Sequence, residues 1–259
     1  MTSLPYRLDR SITIHASRET VFRFFTDSAR WAAWWGAGSA IDPKPGGRVR
    51  ICFPGAIEVT GEVVSLKAPE QMVFTYGFSS GQPIPPGSSR VTIQLERLDG
   101  TTRLHLTHEF ADEKVRDEHV QGWRHQLSVF CNAVADDIHA GALDIVDGWF
   151  SAWAEADGEA RARAFARIVT PTVTFRDRHS AIEGVRELVE QTGAYLRFMP
   201  GIRLERRGAV RHCQGMVLAD WVALASDGQE RMGGTNVFAL GADGRIESAT
   251  GFAATPSTG

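Results

Sequence analysis

The sequence predicts an α+β protein of two domains that meet without a linker. Three observations lead to that class. Residues 119–157 carry two successive helical stripes interrupted at Gly141, the stretch before them reads as a meander of strands, and the stretch after them reads as helices followed by strands. The first stripe is Trp123, Leu127, Phe130, Val134 and Ile138, at spacings of three or four; the second is Leu143, Val146, Phe150 and Trp153. One helix through both would far exceed the usual length of about ten to fourteen residues, so two helices with a short, stiff junction are expected. The domains are expected at 1–139 and 140–259.

Taken in order, Ser11 to His15 alternates, with Ile12 and Ile14 on one face, and a short helix follows, entered at Ser17. A helical ARWAAWWG segment leads to PKPGG, whose prolines and glycines stop any regular element. Period-two patterning then sets Val49, Ile51 and Phe53 on one face, and likewise Met72, Phe74, Tyr76 and Phe78; Val91, Ile93 and Leu95; and Leu104, Leu106, His108 and Phe110. Asp99-Gly100 marks a tight hairpin between the last two runs. The helix carrying Trp123 must cover one face of this sheet.

With 259 residues, 43% of them hydrophobic and 23% charged, both halves can bury a core. The net charge of −3 offers no global attraction to nucleic acid or an anionic membrane. MTSLPYRLDRS lacks the apolar core of a signal peptide, and no later run reaches the roughly eighteen residues of a spanning helix, so a cytoplasmic location is expected. Cys52, Cys131 and Cys213 form no CxxC pair and are read as buried filler. His105 and His108 point to opposite faces of their strand, a poor start for a metal site; neither metal nor cofactor is expected.

ETVFRFFTD, the paired Trp34-Trp35, the PGGRV turn, the GEVVSL strand and HVQGW opening the last helix together resemble the START-like SRPBCC superfamily, and within it the heat-shock-protein-90 ATPase activator homologues. The resemblance covers residues 8 to 138 and implies a helix-grip fold with a cavity between sheet and helix. The inward set Trp35, Phe53, Phe74, Tyr76, His108 and Trp123 is then either ligand wall or core, with Tyr76, His108 and Trp123 the ligand candidates. His108 sets an imidazole among leucines, where it needs a partner or a ligand.

In the second half, ARARAFARIV continues helical until Pro171, VTFRD is a strand, EGVRELVEQTGAYL a helix, and four strands follow near 202–212, 216–225, 230–240 and 245–253, with SDG and ADG turns between the last pairs. This order, with VTFRD, IEGVRELVEQ, ADWVALASDGQ and GGTNVFALGADGRIES, resembles the SnoaL-like branch of the nuclear transport factor 2-like superfamily over residues 140 to 254. A cone-shaped α+β barrel is implied. Members include polyketide cyclases, ketosteroid isomerases and proteins without chemistry, so the fold does not decide the function.

Strand parity turns Asp177, His212 and Asn236 toward an apolar interior. There a carboxylate can abstract a proton beside a carbonyl while an amide donates to the developing oxyanion. By resemblance, Asp177 stands where ketosteroid isomerases hold their base and Asn236 where they hold an acidic donor, whereas the tyrosine of their first helix is replaced by Phe150. The alternative reading of Asp177, and the favoured one, is a turn carboxylate paired with Arg176 or Arg178 or capping the next helix; His179 is its candidate assistant. Asp220 lies in a strand apolar on both faces, so its side is left open. Trp153, Phe175, Tyr195, Phe198, Met199 and His212 complete the expected pocket or else the core.

These readings converge on a small hydrophobic, carbonyl-bearing ligand, either isomerised or cyclised without metal by Asp177 and Asn236, or only sequestered. A homodimer is expected. A co-chaperone role ranks third: eukaryotic activators carry an additional chaperone-binding domain, and none is read ahead of residue 8.

Overall fold

Alternation of apolar and polar residues builds the first sheet. In the computed structural model, whose described residues are 3–254, the chain divides into two units split between Ala135 and Asp136. The N-terminal unit opens with β1 (Tyr6–Ile14), α1 (Arg18–Arg23) and α2 (Ser28–Trp35), followed by β2 (Ala40–Ile41) and β3 (Arg48–Phe53). The meander continues through β4 (Ile57–Lys67), β5 (Gln71–Phe78), β6 (Ser89–Leu98) and β7 (Thr101–Phe110) and ends in α3 (Glu113–Ile138). Its seven strands run in the order β1-β7-β6-β5-β4-β3-β2, and every recorded pair is antiparallel.

Ser17 caps α1 by accepting from the Thr20 N–H at 3.2 Å, as expected for a helix entered there. Gly46, at φ 77°, turns the chain between β2 and β3. The buried stripe of α3, with Trp123, Leu127, Phe130 and Val134, lies on the sheet and on the α1–α2 corner, where Phe130 stacks on Phe25 at 5.1 Å. This is the helix-grip arrangement. Two expectations need correcting. The helix starts at Glu113 rather than near His119, because Asp112 accepts the Val115 N–H at 2.9 Å and caps a first turn too polar to show a stripe. Leu143 is exposed, and Trp149, Ala152 and Ala142 fill the buried face of the next helix in its place.

The C-terminal unit contains α4 (Ala142–Ala154), α5 (Gly158–Ile168), β8 (Val169–Arg176), β9 (Ala181–Glu183) and α6 (Gly184–Phe198). It closes with β10 (Arg203–Cys213), β11 (Met216–Leu224), β12 (Glu230–Leu240) and β13 (Ile246–Ala253), giving the sheet order β10-β11-β12-β13-β8-β9. Gly141 stands at the N-cap of α4, where the two stripes were expected to part. Pro171 does not end α5. It sits inside β8, where the register with the parallel β13 jumps between Val169 and Thr174, a place that needs no ladder N–H from it. The short β9 escaped the pattern reading because three residues carry no period.

Trp149, Phe165 and Phe238 are fully buried between helices and sheet. Arg161 of α5 is 7% exposed, and its guanidinium donates to the carbonyls of Glu155 (2.7 Å), Ala156 (3.4 Å) and Val189 (3.2 Å). The end of α4, α5 and α6 are thereby tied together by one side chain. Cys213 is exposed, contrary to the filler reading, whereas burial pushes the half-buried Cys131 thiol up to about 11. Among the described residues no helix is long and apolar enough to cross a membrane.

Candidate functional site

The C-terminal unit holds a cavity of about 320 Å³. Helical spacing brings Trp149 and Trp153 of α4 to it on one face, α6 contributes Tyr195, and the sheet contributes Phe175, Trp221 and Asn236. Trp153 meets Phe175 and Tyr195 edge to face, both at 5.6 Å. Into this aromatic space opens the amide of Asn236. The residue is 6% exposed, and its side chain has no hydrogen-bond partner among the described residues. A buried amide without a partner is costly, which is the reason to look for a ligand there.

Asp177 lines the same cavity but stands at its rim, exposed rather than enclosed. β8 ends at Arg176, and Asp177 opens a turn in which its Oδ1 accepts the His179 N–H at 2.7 Å while its own N–H donates to the Ser180 carbonyl at 3.0 Å. The turn-carboxylate reading therefore describes it, and the expected burial among aromatic walls does not. Asp177 and Asn236 still flank one gap. A Cβ on Gly251 would lie 3.3 Å from the Asp177 Cβ and 3.2 Å from the Asn236 Oδ1, so the glycine keeps the space between them open. Burial, and after it the charge of Asp177, pushes the Tyr195 phenol above its ordinary value and keeps it protonated. His179 lies at the rim and is exposed.

Two expected members are elsewhere. Phe198 is 84% exposed: it is the last residue of α6, and the chain turns at Met199, which takes the lining position. His212 shares the face of Leu204, as parity requires, but lies eight residues further along β10, at the end away from the cavity. There its Nδ1 faces the Asp136 carboxylate at 3.0 Å and its Nε2 faces His139 at 3.2 Å. Phe150 is buried off the cavity, and the cavity's phenol comes from Tyr195. Asp220 points away from the cavity and accepts from Thr235 at 2.6 Å. Sequence reasoning missed Trp149, although it precedes Trp153 by one helical turn, and missed Trp221, which sits in a strand without a clear polar face.

The N-terminal unit holds a second cavity, of about 370 Å³, to which Tyr76 and Trp123 contribute as expected. His108 does not reach it. Ser89 donates its one hydroxyl proton to the Tyr76 carbonyl at 2.8 Å, so its oxygen accepts from His108 Nε2 at 2.8 Å, and His108 Nδ1 accepts from the Trp123 indole at 2.9 Å. Both ring nitrogens are thus used, and the ligand reading of His108 gives way to a core histidine that holds Trp123 in place. Burial, and after it His119, holds the His108 pKa well below its ordinary value. Phe74 is likewise core.

The family match falls in this N-terminal unit. Residues 15–134 match the family described as Activator of Hsp90 ATPase homolog 1-like protein. The matched span runs from the end of β1 into α3 and so includes the whole meander. Similar solved structures include a putative isomerase of the SnoaL-like family from Agrobacterium tumefaciens, 25% identical over 46% of this chain and 99% of that one, at a TM-score of 0.43. CalU16 from Micromonospora echinospora is 20% identical over 51% of this chain and 78% of its own, at 0.42. The Aha1 dimer from Colwellia psychrerythraea is 19% identical over 47% and 90%, at 0.41. Among curated proteins none matches.

Proposed function

We propose that the C-terminal unit binds a small apolar molecule through a carbonyl oxygen that accepts from Asn236. The observation that carries this reading is the unpartnered amide, 6% exposed, opening into an aromatic cavity of about 320 Å³. A ketone there satisfies the amide and buries its rings against Trp153, Phe175 and Tyr195. The test uses α-tetralone and its hydrocarbon, tetralin, titrated calorimetrically into the full chain. The ketone is expected to bind about tenfold more tightly, the worth of one well-placed hydrogen bond. Asn236→Leu is expected to abolish that preference; a preference that survives the substitution, or no saturable binding of the ketone, overturns the reading.

Proton transfer is a second reading, favoured by the gap at Gly251 that Asp177 and Asn236 share. In it Asp177 removes a proton next to the bound carbonyl and Asn236 stabilises the enolate. For any ketone found to be turned over, Asp177→Asn is expected to lower turnover by about 100-fold or more while leaving its binding within a few-fold. Unchanged turnover removes Asp177 as base and leaves a binding module. The family match favours a chaperone-directed role for the N-terminal unit, and stimulation of an Hsp90-type ATPase by the full chain is its test; an unaltered ATPase rate removes it.

A further inference from the structure

We propose that Ser11, on the solvent-facing side of the first sheet, is an acyl-acceptor site: a serine made nucleophilic by His105 and Glu96 toward acyl compounds that carry a good leaving group, such as aryl esters, thioesters and acyl phosphates. It lies outside both cavities and does not depend on what either of them binds.

The arrangement follows from strand register. Ser11 of β1 stands directly opposite His105 of β7, and Glu96 of β6 lies two residues along the sheet, opposite Arg103. All three leave the face opposite to Leu104, Leu106 and His108, because alternate residues of a strand point to opposite sides. The Ser11 Oγ lies 2.8 Å from His105 Nδ1, and His105 Nε2 lies 3.3 Å from a Glu96 carboxylate oxygen. A carboxylate only accepts, so Nε2 carries a proton; in the neutral ring the lone pair is then at Nδ1, where it accepts from the Ser11 hydroxyl. In that order of groups a base can take the hydroxyl proton of an attacking serine while an anion steadies the ring.

As Oγ bonds to the carbonyl carbon, its proton passes to His105 Nδ1. The bond from that carbon to the leaving group then breaks, the electron pair departs with the leaving group, and His105 gives its proton to water. Glu96 lowers the cost of the positive charge that forms on the ring. Arg103, diagonal to Ser11 on the same face, is exposed and has no ion pair or hydrogen bond among the described residues, so it offers a positive charge to the carbonyl oxygen as that oxygen becomes anionic. Ser11 is exposed, and the side chains of His105 and Glu96 are 42% and 55% exposed, so acyl donors reach the site from solvent, yet so open a face neither holds nor desolvates them. The leaving group must depart unaided, which restricts the reaction to activated acyl compounds and leaves ordinary esters and amides untouched.

The test exposes the full chain to p-nitrophenyl acetate for short times, quenches in acid, and reads acetylation of Ser11 by peptide mass mapping, with acetylation of the lysines as an internal reference. Ser11 is expected to be acetylated, and His105→Ala to slow this about 100-fold, the lower end of what a positioned general base contributes, while the lysines react as before. Glu96→Leu is expected to slow it about tenfold, with partial recovery in Glu96→Asp, a response that a carboxylate serving only the stability of an exposed surface would not give. The proposal is overturned if Ser11 is not acetylated, if His105→Ala or Glu96→Leu leaves the rate at Ser11 unchanged, or if Ser11→Ala retains the burst of p-nitrophenolate, which would make His105 itself the nucleophile.

Discussion

Arg161→Leu is expected to destabilise the C-terminal unit by about 3 kcal/mol, read as a lowered urea midpoint. Hydrogen bonds from a charged donor contribute about 1.5 to 3 kcal/mol each and add less than linearly when one group makes several. Arg161 makes three, to Glu155, Ala156 and Val189, and among the described residues no carboxylate pairs with it. The leucine replaces the buried stem but leaves carbonyls at the end of α4 and in α6 without their donor. Space for the guanidinium comes from Gly193 of α6, where a Cβ would stand 2.5 Å from an Arg161 Nη. Arg161→Lys keeps the charge without the planar fork and should recover only part of the loss. A midpoint unchanged by Arg161→Leu would show that water serves those carbonyls equally well.

His108→Leu is expected to cost the N-terminal unit about 3 kcal/mol at pH 7.5, since it removes two hydrogen bonds and strands the buried Trp123 indole N–H. The substitution should also change how stability depends on pH. In the unfolded chain His108 titrates near its ordinary 6.5; in the folded chain burial keeps it neutral well below that. Below about pH 6.5 the unfolded state therefore takes up a proton that the folded state refuses, and stability falls with pH by up to about 1.4 kcal/mol per unit for this group. Above pH 6.5 that contribution is present in full. Urea midpoints at pH 7.5 and 5.5, resolved by hydrogen exchange in β6 and β7, should show a steeper acid loss in the unmodified chain than in His108→Leu. Equal slopes would mean that His108 protonates freely in the folded state.

Most of the architecture was legible because it rests on repeating patterns. Trp123, Leu127, Phe130 and Val134 announce the buried face of α3, and Leu104, Leu106, His108 and Phe110 that of β7, since period fixes the direction in which a side chain leaves its backbone. The break at Gly141 was legible because the glycine interrupts the run and one helix through both stripes would far exceed the usual length. Misreadings fell where pattern runs out: the polar first turn of α3, the three residues of β9, and Pro171 at a register jump. The site was legible only in part. Asn236 could be read as inward-facing, and Tyr195 as a wall residue, but Arg161 looked like one more polar residue on an amphipathic helix.

The sequence by itself determined two α+β halves, their element order and the face each strand and helix residue presents. Tertiary structure alone decided depth and partnership. His212 lies on the face that parity assigns it, yet far along β10 from the cavity; Phe198 belongs to the right helix, yet one residue short of the turn that carries Met199 inward. His108 faces inward as read, but Ser89 and Trp123 use both its nitrogens. Periodicity is a property of a single element, so it reports orientation. Whether an inward polar atom is consumed by a neighbour or left open to a ligand depends on residues brought from distant parts of the chain, and that is settled only when the elements pack.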